Sequence, residues 1–316
     1  MKVQEASEIA QKILNQVATV IVGKNDILER VLIGILAKGN ILLEDVPGLA
    51  KTMMIRAFAQ VMKCRFSRIQ CTPDLLPADI TGSTVYDQKT QEFRFREGPV
   101  FANLLLVDEI NRASPKTQAS LLEAMQEQNV TVDGITYPLP KPFHVLATQN
   151  PIEFEGTFPL PEAQLDRFLM KFGVGYPNKG EEIEILNRRI ARKQEEFQLP
   201  PQTNTEELLE MQQVVEEIDI DDRIKEYIVD IVRKTRDNSR VEVGASPRGS
   251  LALLHLSRAS ALINGRDFVN PDDVKKVVIP ALNHRVILST GSWLTGIRPK
   301  DIIAKDLLKI KAPRLD

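Results

Sequence analysis

The sequence is poor in the residues that most often build metal and redox sites. Its 316 residues include three histidines and two cysteines, Cys64 and Cys71, and the cysteines do not form a C-x-x-C pair. Metal and redox sites bring several such side chains together at short spacing. The sequence therefore favours two buried or half-buried thiols over a metal or redox site.

Long apolar segments and an excess of positive charge are also missing. No stretch approaches the roughly 18 apolar residues that span a bilayer, and the N-terminus MKVQEASEIAQ lacks the apolar region of a signal peptide. The formal net charge is -2, which leaves no surplus of lysine and arginine for a polyanion. These features favour a cytoplasmic protein without a membrane span, and they disfavour nucleic acid as a partner.

The sequence does contain alternating strand and helix patterns, followed by helix patterns alone. Residues 103–109 form a short apolar run that ends in two acids, which is typical of a strand buried on both faces of a parallel sheet. From Glu181 onward the apolar residues recur at helical spacing. The sequence thus predicts an α/β domain over residues 1–176 and an all-helical domain with a C-terminal tail over residues 177–316.

A loop between a predicted strand and a predicted helix carries part of a phosphate-binding pattern. Residues 44–52 read EDVPGLAKT, and Lys51 and Thr52 match the end of G-x-x-x-x-G-K-[ST]. Ala50 replaces the second glycine, at a helix start where helical φ would be acceptable to alanine. Asp45 replaces the first, and its carboxylate would cost about 4 kcal/mol if it lay 4 Å from a phosphate charge. By itself, the loop leaves open whether a nucleotide binds.

Two carboxylates and one amide follow predicted strands. Asp108 and Glu109 end the run LLLVDE, where the first can hold Mg²⁺ through water and the second can orient an attacking water. Asn150 ends the run FHVLATQN and could bond the same water or a γ-phosphate. The alternatives are a pair of solvated acids at a strand end and a turn-forming asparagine before proline.

Two arginines are candidates for contacts with a γ-phosphate. Arg167 lies in AQLDRFLMKF and Arg248 in GASPRGS. A guanidinium there stabilises charge that develops in the transition state, an effect of about 10³ to 10⁵ in rate. The alternatives are an ion pair between Arg167 and Asp166 and a surface position for Arg248 at a helix start.

Taken in order, these motifs resemble the MoxR branch of the AAA+ ATPases. The segments EDVPGLAKT, LLLVDEINRA, ATQNP, EAQLDRF and GASPRG follow one another, and the resemblance extends over residues 21–284. It implies a P-loop NTPase core with a parallel sheet followed by a helical lid. It also implies roles for single residues: Lys51 and Thr52 in Walker A, Asp108 and Glu109 in Walker B, Asn150 as sensor 1, Arg167 as arginine finger and Arg248 as sensor 2.

The resemblance further implies ATP and Mg²⁺ as ligands. Residues 21–24, IVGK, match the segment that lies against the adenine in relatives. Mg²⁺ would be held by Thr52 and Asp108, and catalysis would depend on Glu109, Asn150, Arg167 and Arg248. The expected nucleotide-binding residues are Val22, Gly23, Val46, Pro47, Gly48, Leu49, Ala50, Lys51, Thr52 and Met53.

Relatives use ATP hydrolysis to remodel, mature or activate other proteins. The resemblance therefore implies a chaperone-like ATPase in a homo-oligomeric ring, expected to be a hexamer, with a client or a von Willebrand factor A domain protein as partner. Two hairpins, near residues 86–95 and at VTVDGITY, would line a pore, face a client or serve as ordinary connections. The alternative functions are an inert nucleotide-binding scaffold, suggested by Asp45, and a nucleic-acid motor, disfavoured by the charge balance.

Overall fold

The structure is a computed structural model that describes residues 1–44, 48–150, 156–194 and 196–314, without the side chain of Trp293. Strands and helices alternate as far as Phe172, and the chain is mainly helical beyond it. The first part contains α1 Val3–Ala18, α2 Asn25–Leu36, β1 Ile41–Glu44, α3 Lys51–Val61, β2 Phe66–Gln70, α4 Pro77–Thr81, β3 Gly82–Asp87, β4 Glu92–Glu97, β5 Leu104–Asp108, a 3-10 turn Ile110–Arg112, α5 Pro115–Glu127, β6 Asn129–Val132, β7 Ile135–Pro138, β8 His144–Gln149, α6 Glu162–Leu165 and β9 Met170–Phe172. The second part contains α7 Lys179–Arg192, α8 Thr205–Glu217, α9 Asp222–Arg236, β10 Val241–Val243, α10 Pro247–Ile263, α11 Pro271–Leu282, β11 Ile287–Leu288, α12 Thr290–Leu294 and α13 Pro299–Leu307.

Five parallel strands form the central sheet in the order β2-β5-β8-β1-β9. Every residue of β5 is buried, as its continuous apolar run predicts for a strand covered on both faces. The register pairs Gln70 with Asp108 and Glu44 with Gln149. The carboxyl ends of β2, β5, β8 and β1 therefore reach the same edge of the sheet.

Successive residues of the central strands pack on opposite faces of the sheet. Leu104 and Leu106 belong to a core formed with α1, α2, α3 and the C-terminal helices, whereas Leu105 and Val107 belong to a core formed with α5. Each fully buried side chain of this size contributes about 1.5–3 kcal/mol by leaving water. The sheet, and with it the edge that ends in Asp108, is thus fixed between two helical layers.

The second part of the chain is helical, as the sequence predicts, with one addition. β10 pairs antiparallel with β11 in a small two-stranded sheet. Strands of three and two residues are too short to show the alternation by which strands are recognised in sequence. Among the described helices, none combines the length and the apolar character needed to cross a membrane.

The C-terminal helices share a core with the N-terminal ones. Ser7 Oγ in α1 donates to the carbonyl of Ile263 at the end of α10, at 3.0 Å. Gln212 Nε2 in α8 donates to the carbonyl of Ile35 in α2, at 2.8 Å. Because the core is continuous across residue 176, the division of the chain there remains a proposal based on the change of sequence pattern.

Both predicted hairpins are present. β3 pairs with β4, and β6 pairs with β7 through a turn in which Asp133 and Gly134 have φ of 51° and 79°. Positive φ at both central residues is typical of the two-residue turns that match strand twist. Phe95 and Tyr137 stack with ring centroids 4.0 Å apart and connect the hairpins, while Phe93 is 73% exposed. The hairpins therefore form one joint surface element.

Candidate nucleotide-binding site

The carboxyl edge of the sheet borders a cavity of about 390 Å³, here called the phosphate cavity. The sequence-predicted residues that line it are Gly48, Leu49, Ala50, Lys51, Thr52, Met53, Asp108, Glu109 and Asn150. The structure thus brings the predicted loop, Walker B and sensor 1 residues together. Asp45, Val46 and Pro47 lie outside the described residues.

The entrance to α3 has a backbone that the sequence analysis did not anticipate. Ala50 has φ 54° and ψ 18°, in the left-handed region and not the helical one. The expectation that alanine is acceptable there through helical φ is therefore wrong, since a left-handed conformation costs an L-residue roughly 1–2 kcal/mol. Gly48 also has a positive φ, of 85°, and open space where a Cβ would stand. Left-handed residues turn neighbouring N–H groups to one side, as in anion-binding nests.

Asp108 is held by two partners that sequence analysis missed. Its Oδ2 accepts a hydrogen bond from Arg68 Nε at 2.7 Å, and its Oδ1 accepts one from Thr148 Oγ1 at 3.2 Å. Arg68 Nη2 also donates to Gln70 Oε1 at 3.1 Å, and Arg68, Gln70 and Thr148 all line the phosphate cavity. Arg68 and Gln70 belong to β2, and the ion pair of Arg68 with Asp108 depends on β2 and β5 being neighbours in the sheet. Their position at the end of a predicted strand was the available signal.

Glu109 is fixed through both its backbone and its carboxylate. Its N–H donates to Thr148 Oγ1 at 2.9 Å, and its Oε2 accepts from Arg112 Nη1 at 3.0 Å. Glu109 has φ 55° and ψ 51°, which is unfavourable for a residue other than glycine. Such strained backbone clusters at functional sites. Thr148 thus connects the two neighbouring acids with a single hydroxyl.

The two cysteines are free thiols, with Cys71 buried and Cys64 partly buried. Cys71 follows β2 and its N–H donates to the carbonyl of Asp108 at 2.9 Å. Burial, and then the charges of Asp108 and Glu109, raise the pKa of the Cys71 thiol to about 12. Burial likewise raises the pKa of the Cys64 thiol to about 12. Both stay protonated at neutral pH, where a thiolate would be needed for nucleophilic or metal chemistry.

A second cavity, of about 240 Å³ and mainly apolar walls, adjoins the first. The residues that line both cavities are Gly48, Leu49, Ala50 and Met53. The further apolar residues of this apolar cavity are Val20, Ile21, Val22, Met54, Val174, Pro177 and Ile185. An apolar slot beside a phosphate-binding loop suits a purine ring.

Val22 and Gly23 belong to the predicted adenine segment, but only one of them lies at the apolar cavity. Val22 lines the apolar cavity, whereas Gly23 does not. Gly23 has φ 70°, and a Cβ there would collide with the side chain of Glu181. A second contact joins the same two parts of the chain: Arg188 in α7, which also lines the apolar cavity, donates to the carbonyl of Ala18 at 2.9 Å. Gly23 therefore allows close packing between the N-terminal segment and α7.

Arg167 and Arg248 lie outside both cavities. Together with Asp166 and Arg285 they line a separate, open cavity, here called the arginine face. Arg248 Nη1 lies 3.4 Å from Asp166 Oδ2, and the Arg248 side chain is 63% exposed. Arg285 Nε lies 2.7 Å from the other carboxylate oxygen of Asp166. Within one chain, the predicted arginines are thus grouped with each other and apart from the phosphate cavity.

Known proteins match this arrangement over both halves of the chain. Residues 40–170 match the family described as ATPase family associated with various cellular activities (AAA), and residues 233–306 match the one described as AAA lid domain. The chain is 44% identical to Chaperone MoxR1 of Mycobacterium tuberculosis, across 97% of the chain and 83% of that protein. The chain belongs to the MoxR family of AAA+ ATPases.

Two more similarities extend the MoxR-family assignment. The uncharacterized protein YeaC of Bacillus subtilis is 49% identical, across 96% of the chain and 94% of that protein. The crystal structure of a Cytophaga hutchinsonii protein assigned as an ATPase superimposes with a TM-score of 0.92 at 40% identity, across 99% of this chain and 97% of that one. The resemblance seen in the sequence motifs is confirmed, as is the P-loop AAA+ core with a parallel sheet and a helical lid.

Proposed function

We propose that this MoxR-family protein hydrolyses ATP and uses the energy to remodel, mature or activate partner proteins. The observation that carries the proposal is the meeting of Lys51, Asp108, Glu109 and Asn150 around one cavity that continues into an apolar one. The apolar cavity suits the adenine ring, and the phosphate cavity suits a triphosphate. A positive side chain, backbone N–H groups and two acids are the parts that phosphoryl transfer requires.

The residues of the phosphate cavity also suit Mg²⁺. The Thr52 hydroxyl and the Asp108 carboxylate supply oxygen donors, and Mg²⁺ is usually held by one or two carboxylates together with phosphate oxygens and water. When bound, Mg²⁺ would neutralise charge on the phosphate oxygens. Arg68 and Thr148 fix the Asp108 carboxylate in place for this role.

Each remaining residue of the phosphate cavity has a task in this proposal. Lys51 and the backbone N–H groups of the loop bind the β- and γ-phosphates. Glu109 polarises the attacking water, and its anchored backbone keeps the carboxylate at the cavity edge. Asn150 positions the same water or the γ-phosphate. Together these residues would hold the attacking water in line with the γ-phosphate. Catalysis of phosphoryl transfer depends mainly on such positioning and on electrostatic stabilisation.

The position of the arginine face supports the proposal that the protein assembles as a ring. Because Arg167 and Arg248 line neither the phosphate cavity nor the apolar cavity, we propose that both act on the nucleotide of a neighbouring subunit. Repeating such a head-to-tail contact closes a ring, which we propose to be a hexamer. The two guanidinium groups would stabilise transition-state charge, and one arginine finger is worth about 10³ to 10⁵ in rate.

The test of ATP hydrolysis compares two substitutions in the phosphate cavity. Glu109→Gln is expected to bind ATP and to lower kcat about 10²- to 10⁴-fold, the usual contribution of a general base. Lys51→Ala is expected to lose ATP binding. Binding is measured with a fluorescent ATP analogue and hydrolysis by phosphate release, with Glu226→Gln on the exposed side of α9 as the control. Normal hydrolysis by Glu109→Gln would remove Glu109 from the mechanism.

The partner is tested with the same variant. A Glu109→Gln ring stalled with ATP should retain its client or a von Willebrand factor A domain protein in a pull-down from cytoplasm, where we propose the protein acts. The name of the relative Chaperone MoxR1 supports a chaperone-like role. An inert scaffold would show no turnover in the wild type, and turnover gained by Asp45→Gly would assign the block to the Asp45 carboxylate. A nucleic-acid motor would show salt-dependent DNA binding.

A further inference from the structure

Three consecutive residues after α11 hold the segment that contains Arg167. Asn283 Nδ2 donates to the carbonyl of Lys171 at 2.7 Å, and His284 Nε2 donates to the carbonyl of Phe168 at 3.0 Å. Burial, first of all, lowers the pKa of His284 well below its usual value, so the ring is neutral and keeps one N–H for this bond. The end of the lid is thereby bonded to the sheet domain next to Arg167.

Arg285 makes the most extensive of these contacts. Its side chain is 4% exposed, and it donates to Asp166 Oδ1 at 2.7 Å, the Phe168 carbonyl at 2.8 Å and the Leu169 carbonyl at 3.2 Å. A weaker bond reaches the Asp166 carbonyl at 3.4 Å. One guanidinium therefore bonds the residue before Arg167 and the two residues after it.

Asp166 extends this network to the second arginine. Its Oδ1 accepts from Arg285, and its Oδ2 accepts from Arg248 at 3.4 Å. Arg248 is exposed in the first turn of α10, whereas Arg285 is buried after α11, so the Asp166 carboxylate lies between an exposed guanidinium and a buried one. Arg285 thus sets the backbone around Arg167 directly and the side chain of Arg248 through Asp166.

We propose that Arg285 is a positioning residue for Arg167 and Arg248, and that it keeps both guanidinium groups in register for the nucleotide of a neighbouring subunit. This inference rests on the proposed function, because it assigns a task to the arginine face. Lysine cannot replace Arg285, since its single ammonium lacks the planar fork that bonds a carboxylate and two carbonyls at once.

The first experiment compares Arg285→Lys with Arg266→Lys. Arg266 also bonds a buried carboxylate of the lid, that of Asp273 at 2.6 and 2.7 Å, but it does not line the arginine face. Arg285→Lys is expected to lower kcat about a hundredfold, a loss that a 1 Å displacement of a catalytic group can cause, with unchanged affinity for a fluorescent ATP analogue. Arg266→Lys should leave kcat within about twofold of the wild type. Equal kcat in both variants would overturn the proposal.

A second experiment mixes two kinds of variant subunit. It distinguishes a loss of positioning on the arginine face from general damage to the fold. Arg285→Lys subunits keep an intact phosphate cavity, and Glu109→Gln subunits keep an intact arginine face. Mixed rings should therefore hydrolyse ATP faster than either variant alone, as mixtures of Arg167→Ala with Glu109→Gln should. Rescue of Arg167→Ala without rescue of Arg285→Lys would show that Arg285 acts elsewhere.

A spin label at position 167 gives a readout that needs no hydrolysis. The variant Arg167→Cys can be labelled selectively, because the raised pKa of Cys64 and Cys71 leaves both thiols protonated. The nitroxide should become more mobile with Arg285→Gln and not with Arg266→Lys. Unchanged mobility would overturn the proposal. Absence of ATP hydrolysis in the wild type, by contrast, would refute the proposed function while leaving this measurement valid.

Discussion

The phosphate cavity and the arginine face are built in opposite ways. In the phosphate cavity, Asp108 and Glu109 are held at a buried sheet edge by Thr148, with hydrogen bonds of 3.2 and 2.9 Å. On the arginine face, the Arg248 side chain is 63% exposed and its contact with Asp166 is long, at 3.4 Å. The comparison shows that the acids of the phosphate cavity are anchored by short hydrogen bonds at the sheet edge, whereas Arg248 on the arginine face is exposed and held by one long contact. This difference agrees with the proposal that the arginine face acts on a neighbouring subunit.

Loss of the Arg167 guanidinium should reduce ATP hydrolysis more than any other change discussed below. Arg167→Ala should lower kcat by about 10³-fold or more and leave the affinity for ATP unchanged, because Arg167 lines neither the phosphate nor the apolar cavity. Hydrolysis per subunit should also rise with protein concentration as rings form. The measurement is phosphate release across a dilution series, with Arg233→Ala on the exposed side of α9 as control. Equal specific activity in a stable monomer and in a ring would contradict the division of labour.

A smaller effect is expected on the pH dependence of folding stability, through the buried side chain of His144. His144 begins β8, is fully buried, donates from Nδ1 to the Gly39 carbonyl at 3.1 Å, and its Nε2 accepts from Gln212 of α8 at 3.0 Å. Burial lowers the pKa of His144 to about 4 from 6.5. The folded protein thus binds fewer protons than the unfolded chain, and His144 contributes stability above pH 6.5 that is lost as the pH falls toward 4, about 3 kcal/mol in all.

The pH effect is measured as the free energy of urea unfolding between pH 7 and pH 4. His144→Gln should flatten the fall in stability, because glutamine does not titrate. His255→Gln is the control, since that side chain is 36% exposed and burial lowers its pKa without enclosing it completely. An unchanged slope in His144→Gln would mean that His144 is protonated without cost in the folded protein.

A still smaller effect is expected from the left-handed backbone of Ala50, which lines the phosphate cavity. Ala50→Gly should stabilise the protein by up to about 1 kcal/mol, because glycine adopts the left-handed φ of 54° without the steric penalty of a Cβ. Ala119→Gly is the matched control in the middle of α5, where the same change should destabilise by about 1 kcal/mol. Thermal unfolding of both variants decides the sign. Destabilisation by Ala50→Gly would show that the greater conformational freedom of glycine in the unfolded chain costs more stability than relief of the strained φ provides.

Sequence reasoning located most of the phosphate cavity because strand ends are visible in sequence. Asp108 and Asn150 each follow an apolar run, and parallel strands end at one edge, so their meeting could be predicted. Arg68 and Thr148 could not be assigned, since their contacts with Asp108 depend on β2, β5 and β8 being neighbours in the sheet. The left-handed φ of Ala50 was also hidden, because alanine carries no sign of strain.

Local sequence patterns were enough to predict the alternation of strands and helices, the phosphate-binding loop and the resemblance to a family, because these depend on spacing and residue type along the chain. Folding of the whole chain brings Arg248 and Arg285 together at Asp166, from positions 82 and 119 residues away. It also decided that this group lies apart from the phosphate cavity. Such contacts arise from helices that pack across the whole chain, and local sequence patterns carry no information about which distant side chains the packing brings together.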